Sequence, residues 1–274
     1  MAGPLRQIQW GTLLVASVIL GTLGLDSSGS TFASINLYWD WLLIGFFGAL
    51  LAGAVGAGSG LFCVFVMTGS GAAAVAPSFG IQAFGLTMAA ITWLVHLQRR
   101  QKSSEELKSF RLIFLVAASS SLAGLRITQD FLMSYHWDFF PILEGADVVV
   151  ALVLAWQIIR SRRNKSVTMS NGQLVGLSLV AMLGGVLMAW YSLGVGEVLV
   201  LYSVCTRLRC DFAIALAVCV TAITAITALP YYFDYSAIHN KTLIFGGCGA
   251  LLGGILAPKI GALLNSRDES FSPE

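Results

Sequence analysis

Residues 41–71 read WLLIGFFGALLAGAVGAGSGLFCVFVMTGSG, a stretch without a single charge. At 1.5 Å per residue, one continuous helix of that length would measure about 45 Å. The hydrocarbon core of a bilayer is only roughly 30 Å thick. The segment must therefore tilt steeply, break, or turn back. Gly53, Gly56, Gly58 and Gly60 mark where a break would fall, because each glycine weakens a helix interior by about 1 kcal/mol relative to alanine. Unwound backbone at membrane depth persists only where protein buries it or where it lines a cavity. There, free N–H groups backed by a helix N-terminus attract anions. The competing reading is close helix packing, with Gly45 and Ala49, or Gly56 and Gly60, at small-x-x-x-small spacing.

The rest of the chain has the same character. Of 274 residues, 57% are apolar and 11% charged, whereas a soluble domain carries roughly 25% charged residues. So few charges exclude a soluble enzyme or a nucleic-acid binder. The 16 basic and 14 acidic residues leave a net charge of +2 and imply no acidic partner. Apolar runs fall at 8–25, 41–68, 73–97, 110–132, 141–160, 173–203, 211–232 and 242–265. Each is long enough to approach or exceed a span. The expected fold is an all-α integral membrane protein of seven to eight transmembrane helices. Run 8–25 has only Arg6 ahead of it and no clear small-x-small site after it, so it is not read as a signal peptide. The five cysteines are odd in number, lack CxxC spacing and sit in apolar surroundings, which points to packing rather than disulfides or metal.

More than half of the basic residues lie in two places. Arg99, Arg100, Lys102, Lys108 and Arg111 flank one loop, and Arg160, Arg162, Arg163 and Lys165 fill another. Two runs separate them, so both loops, 98–110 and 160–172, are expected on one face. The positive-inside rule makes that face cytoplasmic. The intervening Ser134–Pro141 loop is then external, with Pro141 suited to a first helical turn.

The chain also resembles itself. Sliding 186–206 (VLMAWYSLGVGEVLVLYSVCT) along 48–68 (GALLAGAVGAGSGLFCVFVMT) puts Gly194 on Gly56, Gly196 on Gly58 and Glu197 on Ser59. One residue further out, Ala213-Ile-Ala falls on Ala74-Val-Ala and Thr221 on Gln82. Two matches in the same order suggest two internal repeats, each with a glycine-broken helix, the usual plan of a secondary transporter with its site between the halves. Read this way, the chain is a single transmembrane domain over 1–274. Residues 8–40 form an extra N-terminal helix and loop, 41–140 repeat 1, 141–171 a linking helix with a cytoplasmic loop, and 172–265 repeat 2. Whether the halves run parallel or inverted stays open at this level.

These elements resemble the TauE/SafE sulfite-exporter family of bacterial anion permeases. Gly56-Ala-Gly-Ser-Gly60 and Gly194-Val-Gly-Glu197 stand for the family's two glycine-rich stretches. Ala74-Val-Ala-Pro-Ser-Phe-Gly80 and Ala213-Ile-Ala215 stand for the helices that follow. Gly246-Gly-Cys-Gly-Ala-Leu-Leu-Gly-Gly-Ile-Leu-Ala257 resembles the small-residue last helix, with Ser121-Leu-Ala-Gly124 a weaker counterpart. The similarity covers about residues 41–265. Ser59 and Glu197 stand where the family has glycine, and no proline follows the glycine stretches. The resemblance implies a permease for sulfite or a small organosulfonate in the bacterial inner membrane.

The candidate substrate-binding set is Gly56, Gly58, Ser59, Gly60, Ser78, Gln82, Gly194, Gly196, Glu197, Arg207 and Thr221. An ionisable group inside a span costs about 2.5–3.5 kcal/mol on insertion scales and is a functional candidate by default. Glu197 is either a proton-carrying carboxyl or the partner of an arginine. Arg207 offers planar, bidentate recognition of an oxyanion, or else snorkels to headgroups; Arg209 is a weaker candidate and Asp211 a partner for one of them. Ser78 and Gln82 stand one turn apart, and Thr221 and Thr224 occupy the matching helix; these neutral groups suit reversible coordination or helix-to-helix hydrogen bonds. Arg126 and Asp130 have the i,i+4 spacing of a surface ion pair, or else a place on the anion path, and Glu144 and Asp147 read as interfacial.

No nucleotide loop, HExxH or GxSxG motif is present, so no enzyme, cofactor or metal is implied. With no ATP site, an ion gradient or the membrane potential would drive export of the anion. The implied partners are a small anion and the bilayer, with homo-oligomerisation open. A seven-helix retinal protein would need a mid-helix lysine, and Lys259 lies near a run end. The alternative is a membrane scaffold or assembly protein without a transported ligand, in which the glycines serve packing alone.

Overall fold

The computed structural model describes residues 31–57, 75–100, 104–132, 168–192, 195–234 and 240–266. The expected run 8–25, the Ser134–Pro141 loop, run 141–160 with Glu144 and Asp147, the basic loop 160–165, and Gly58, Ser59, Gly60 and Gly194 lie outside these residues. The described chain is all-helical: α1 (Thr31–Val55), α2 (Val75–Arg100), α3 (Ser104–Ile127), α4 (Asn171–Tyr191), α5 (Val195–Cys205), α6 (Cys210–Asp234) and α7 (Asn240–Ser266). Among the described residues, four segments are long and apolar enough to cross a bilayer: Ser78–Arg99, Glu105–Phe131, Asn171–Trp190 and Cys210–Tyr231. The chain is an all-α membrane protein, as its composition requires.

Small residues set the packing, because lipid offers no hydrophobic reward for bringing helices together. Gly253 of α7 lies on the Phe46 carbonyl of α1, and Gly185 of α4 on the Ser121 carbonyl of α3, so close that neither site has room for a Cβ. The Trp93 indole of α2 donates to the Gly53 carbonyl of α1 at 2.6 Å. Pro258 interrupts α7 and frees the Gly254 carbonyl, toward which Thr92 directs its hydroxyl at 3.4 Å.

These contacts also fix helix directions. Gly45 meets Gly246 and Ala54 meets Gly261, so α1 and α7 run parallel. Ala49 meets Gly85 and Gly53 meets Ala89, so α2 runs with them. In the other group, Ser120 bonds Ser178 and Gly124 meets Met182, making α3 and α4 parallel. Glu106 reaches Arg209 and Ser121 bonds Thr224, so α6 runs with α3. Arg100, at the end of α2, lies four positions before Ser104, at the start of α3, and that start lies beside the start of α6. The trio α1, α2, α7 therefore opposes the trio α3, α4, α6, with α2 against α6 between them.

Helix α5 settles what run 173–203 does. Val195 and Val198 pack on Gly184, while Tyr202 packs on Gly176 and donates to the Gln173 carbonyl at 2.8 Å. Helices α4 and α5 are thus an antiparallel hairpin, and the run is not one span. Its entry at Asn171 and its exit before Arg209 share the end where α3 begins. Ser170 caps α4 through a reciprocal capping box with Gln173.

One expectation fails in this region. Arg126 and Asp130 are both exposed and make no ion pair among the described residues. After Ile127 the helix widens into a π-turn over Thr128–Leu132, which rotates Asp130 off the i,i+4 position that pairing needs.

Candidate functional site

Two helices stop inside the protein, and they stop alike. Gly56 follows α1 at φ +82°, and its N–H donates to the Ala52 carbonyl at 2.7 Å. Ser192 follows α4 at φ 58°, and its N–H donates to the Met188 carbonyl at 2.9 Å. Both are left-handed caps, a conformation natural to glycine and costly for other residues. This geometry pairs Gly56 with Ser192, two residues away from the glycine match that aligns Gly56 with Gly194.

The α1 break meets the start of α5. Gly196 lies on the Gly56 carbonyl oxygen, where any Cβ would overlap it, and that Cβ would also stand 3.1 Å from the Thr221 hydroxyl. On its other side Gly56 touches Val200 of α5 and Ile214 and Ala217 of α6. Ala52, Gly56, Ala57, Leu86, Gly196, Glu197, Val218 and Thr221 line a partly open cavity of about 10 Å³, the size of one water. Glu197 is 3% exposed and stands in the first turn of α5, where the helix dipole favours negative charge. Thr221 is buried and donates to the Ala217 carbonyl at 2.8 Å.

The α4 break is held differently. Ser78 donates its hydroxyl to the Ser192 hydroxyl. Gln82 donates through Nε2 to the Ser192 carbonyl at 3.1 Å and to its hydroxyl at 2.8 Å. All three side chains are at least 99% buried, and Gln82 Oε1 has no hydrogen-bond partner among the described residues.

Of the expected site residues, Gly56, Gly196, Glu197 and Thr221 therefore gather around one cavity. Ser78 and Gln82 lie together on α2 but at the other break. Arg207 stands apart. It is exposed beyond the far end of the 11-residue α5, outside the cavity lining, at φ 60°. Its N–H donates to the Val204 carbonyl at 3.1 Å while Leu208 N–H donates to the Ser203 carbonyl at 2.8 Å, a Schellman cap with arginine in the glycine position. Arg209 pairs with Asp211 at 2.7 Å and with Glu106 at 3.5 Å, tying the start of α6 to α3. Thr224 bonds Ser121 across the same helices at 2.9 Å.

Ser192 is the residue that sequence reading passed over. Its only signal was position: a small polar residue ending an apolar helix two places before Gly194.

Among the described residues, no three His, Cys, Asp or Glu side chains group to hold a metal ion. Comparison with curated proteins and with solved structures yields no match. A family model does match, that of the sulfite exporter TauE/SafE, over residues 41–269. That span takes in both helix breaks, the cavity at the first of them and every described helix except the first turns of α1, and so the chain belongs to the TauE/SafE family of sulfite exporters.

Proposed function

We propose that this protein is a secondary exporter of a small sulfur-containing anion, sulfite or an organosulfonate, across the bacterial inner membrane. The observation that carries this reading is the junction of Gly56 with Gly196, Glu197 and Thr221. It lies where two opposed helix trios meet, the arrangement in which transporters hold substrate between halves. The α5 N-terminus supplies backbone N–H groups for an oxyanion, and Thr221 supplies a neutral hydroxyl that binds without trapping. Gly58, Ser59, Gly60 and Gly194 flank the same two breaks in sequence and belong to the proposed set.

A cavity of one water's size is too small for a sulfur oxyanion, so the Gly56–Gly196 contact must part for one to enter. Opposed trios that pack mainly through α2 and α6 suit a rocking motion of that kind. With the basic end cytoplasmic, expelling an anion down the membrane potential gains about 2.3 kcal/mol per charge per 100 mV. No nucleotide is needed.

Glu197 gives the site its regulation. A carboxylate and an anion compete for the same α5 N-terminus, whereas a neutral carboxyl leaves that field to the anion. Removing that charge in Glu197→Gln should therefore strengthen anion binding.

The test is thermal stabilisation of purified protein across sulfite, sulfate, thiosulfate, sulfoacetate, taurine, acetate and chloride. Selective stabilisation by a sulfur oxyanion, changed in Glu197→Gln, is the expected result. Equal melting temperatures across the panel would overturn the proposal.

A further inference from the structure

The α4 break differs chemically from the anion junction, and its chemistry points to an opposite charge. Helix α4 ends at Tyr191, and the field of a helix C-terminus favours a cation. The side chains gathered there are neutral and rich in oxygen: the Ser192 carbonyl and hydroxyl, the Ser78 hydroxyl, and the Gln82 amide. Gln82 Nε2 stands where two Ser192 oxygens converge, at 3.1 and 2.8 Å, so a positive-end donor already marks the point. The same amide keeps a buried acceptor, Oε1, without a partner among the described residues. An acceptor left so at 1% exposure is costly, and a bound cation would offset that cost.

We propose that Ser192, Ser78 and Gln82 form a binding site for a monovalent alkali cation, sodium in the first instance. Rotation of the Gln82 amide brings Oε1 to the point that Nε2 now occupies, so that four neutral oxygens face the ion. The set contains no carboxylate, which sets it apart from the sites that calcium and magnesium require. Ser78 lies in the first turn of α2, whose N-terminus alone would favour an anion; the atoms that converge on Ser192 are nonetheless acceptors and one amide donor. The break pairs an unwound carbonyl with a half-helix C-terminus, the kind of place where coupling ions bind in transporters with broken helices. The proposal stands on this cluster and does not depend on the anion junction.

The experiment is thermal unfolding of the purified full chain in sodium, lithium, potassium and choline chlorides at equal ionic strength, with sodium gluconate as a further arm. A saturable rise in melting temperature with sodium over choline, the same in gluconate as in chloride, is expected. The rise is lost in Gln82→Ala and in Ser192→Gly, which keeps the left-handed backbone, and it persists in Glu197→Gln. Identical wild-type curves in sodium and choline would overturn the proposal without any variant. So would a sodium shift that survives both substitutions, or a shift that follows chloride instead of sodium.

Discussion

The two helix breaks share a backbone geometry and little else. Gly56 ends α1 against Val200, Ile214 and Ala217, a wall of apolar side chains, and its carbonyl lies on Gly196. Ser192 ends α4 in a pocket of hydroxyls and an amide. One break needs glycine because neighbours leave no room for a Cβ. The other accepts serine in a left-handed conformation because its hydroxyl is held from two sides. The lesson is that the same local turn carries opposite chemistry according to what packs on it. The first faces a helix N-terminus and a carboxyl; the second is itself a helix C-terminus ringed by oxygens.

The largest effect is expected at the first break. In Gly196→Ala the new methyl overlaps the Gly56 carbonyl, which should cost about 1–3 kcal/mol of stability and bring sulfite efflux from proteoliposomes to background. Gly172→Ala, where nothing lies within 4 Å, is the matched control and should gain up to about 1 kcal/mol with flux unchanged. Next comes Glu197→Gln, which should fold and bind an alkylsulfonate more tightly than wild type, because the carboxylate that competes for the α5 N-terminus is gone; calorimetry reads this. An affinity equal to the wild type would remove Glu197 from the account.

At the second break, Ser192→Ala should destabilise more than Ser192→Gly in detergent melting curves. Alanine keeps the left-handed cost of about 1–2 kcal/mol and loses the hydroxyl, whereas glycine loses the hydroxyl alone. Equal destabilisation would mean that the backbone conformation contributes nothing. The smallest effect is at Arg207, which caps α5 at φ 60° outside the cavity. Arg207→Gly should raise the unfolding free energy by about 1 kcal/mol and leave sulfite flux intact. A loss of flux in a stable Arg207→Gly protein would restore that guanidinium to the anion path.

Much of the fold was legible because lipid leaves few options. Apolar run lengths fix helix positions to within a few residues for α2, α6 and α7, and an uncharged stretch too long to span has to break. Direction was not legible, because α1 parallel to α2 depends on contacts such as Ala49 on Gly85. Nor was the pairing of the breaks: glycine identity aligns Gly56 with Gly194, but the left-handed cap falls on Ser192. Ser78 and Gln82 stood out as polar residues in an apolar helix, while their shared partner sits more than a hundred positions away. Arg207 is ambiguous for a related reason. Charge at the end of a run reads the same in sequence whether it faces a substrate or caps a helix; its exposed position beyond α5 and its left-handed dihedral favour the cap.

The central claim is that the Gly56–Gly196 junction is where a sulfur oxyanion crosses. It is tested most directly by sulfite efflux from proteoliposomes under an inside-negative potential, comparing wild type, Gly196→Ala and Gly172→Ala. The account predicts efflux that accelerates with the potential in wild type and Gly172→Ala and is absent in folded Gly196→Ala. Wild-type rates in a folded Gly196→Ala protein, or wild-type protein that passes no sulfite at any potential, would contradict it.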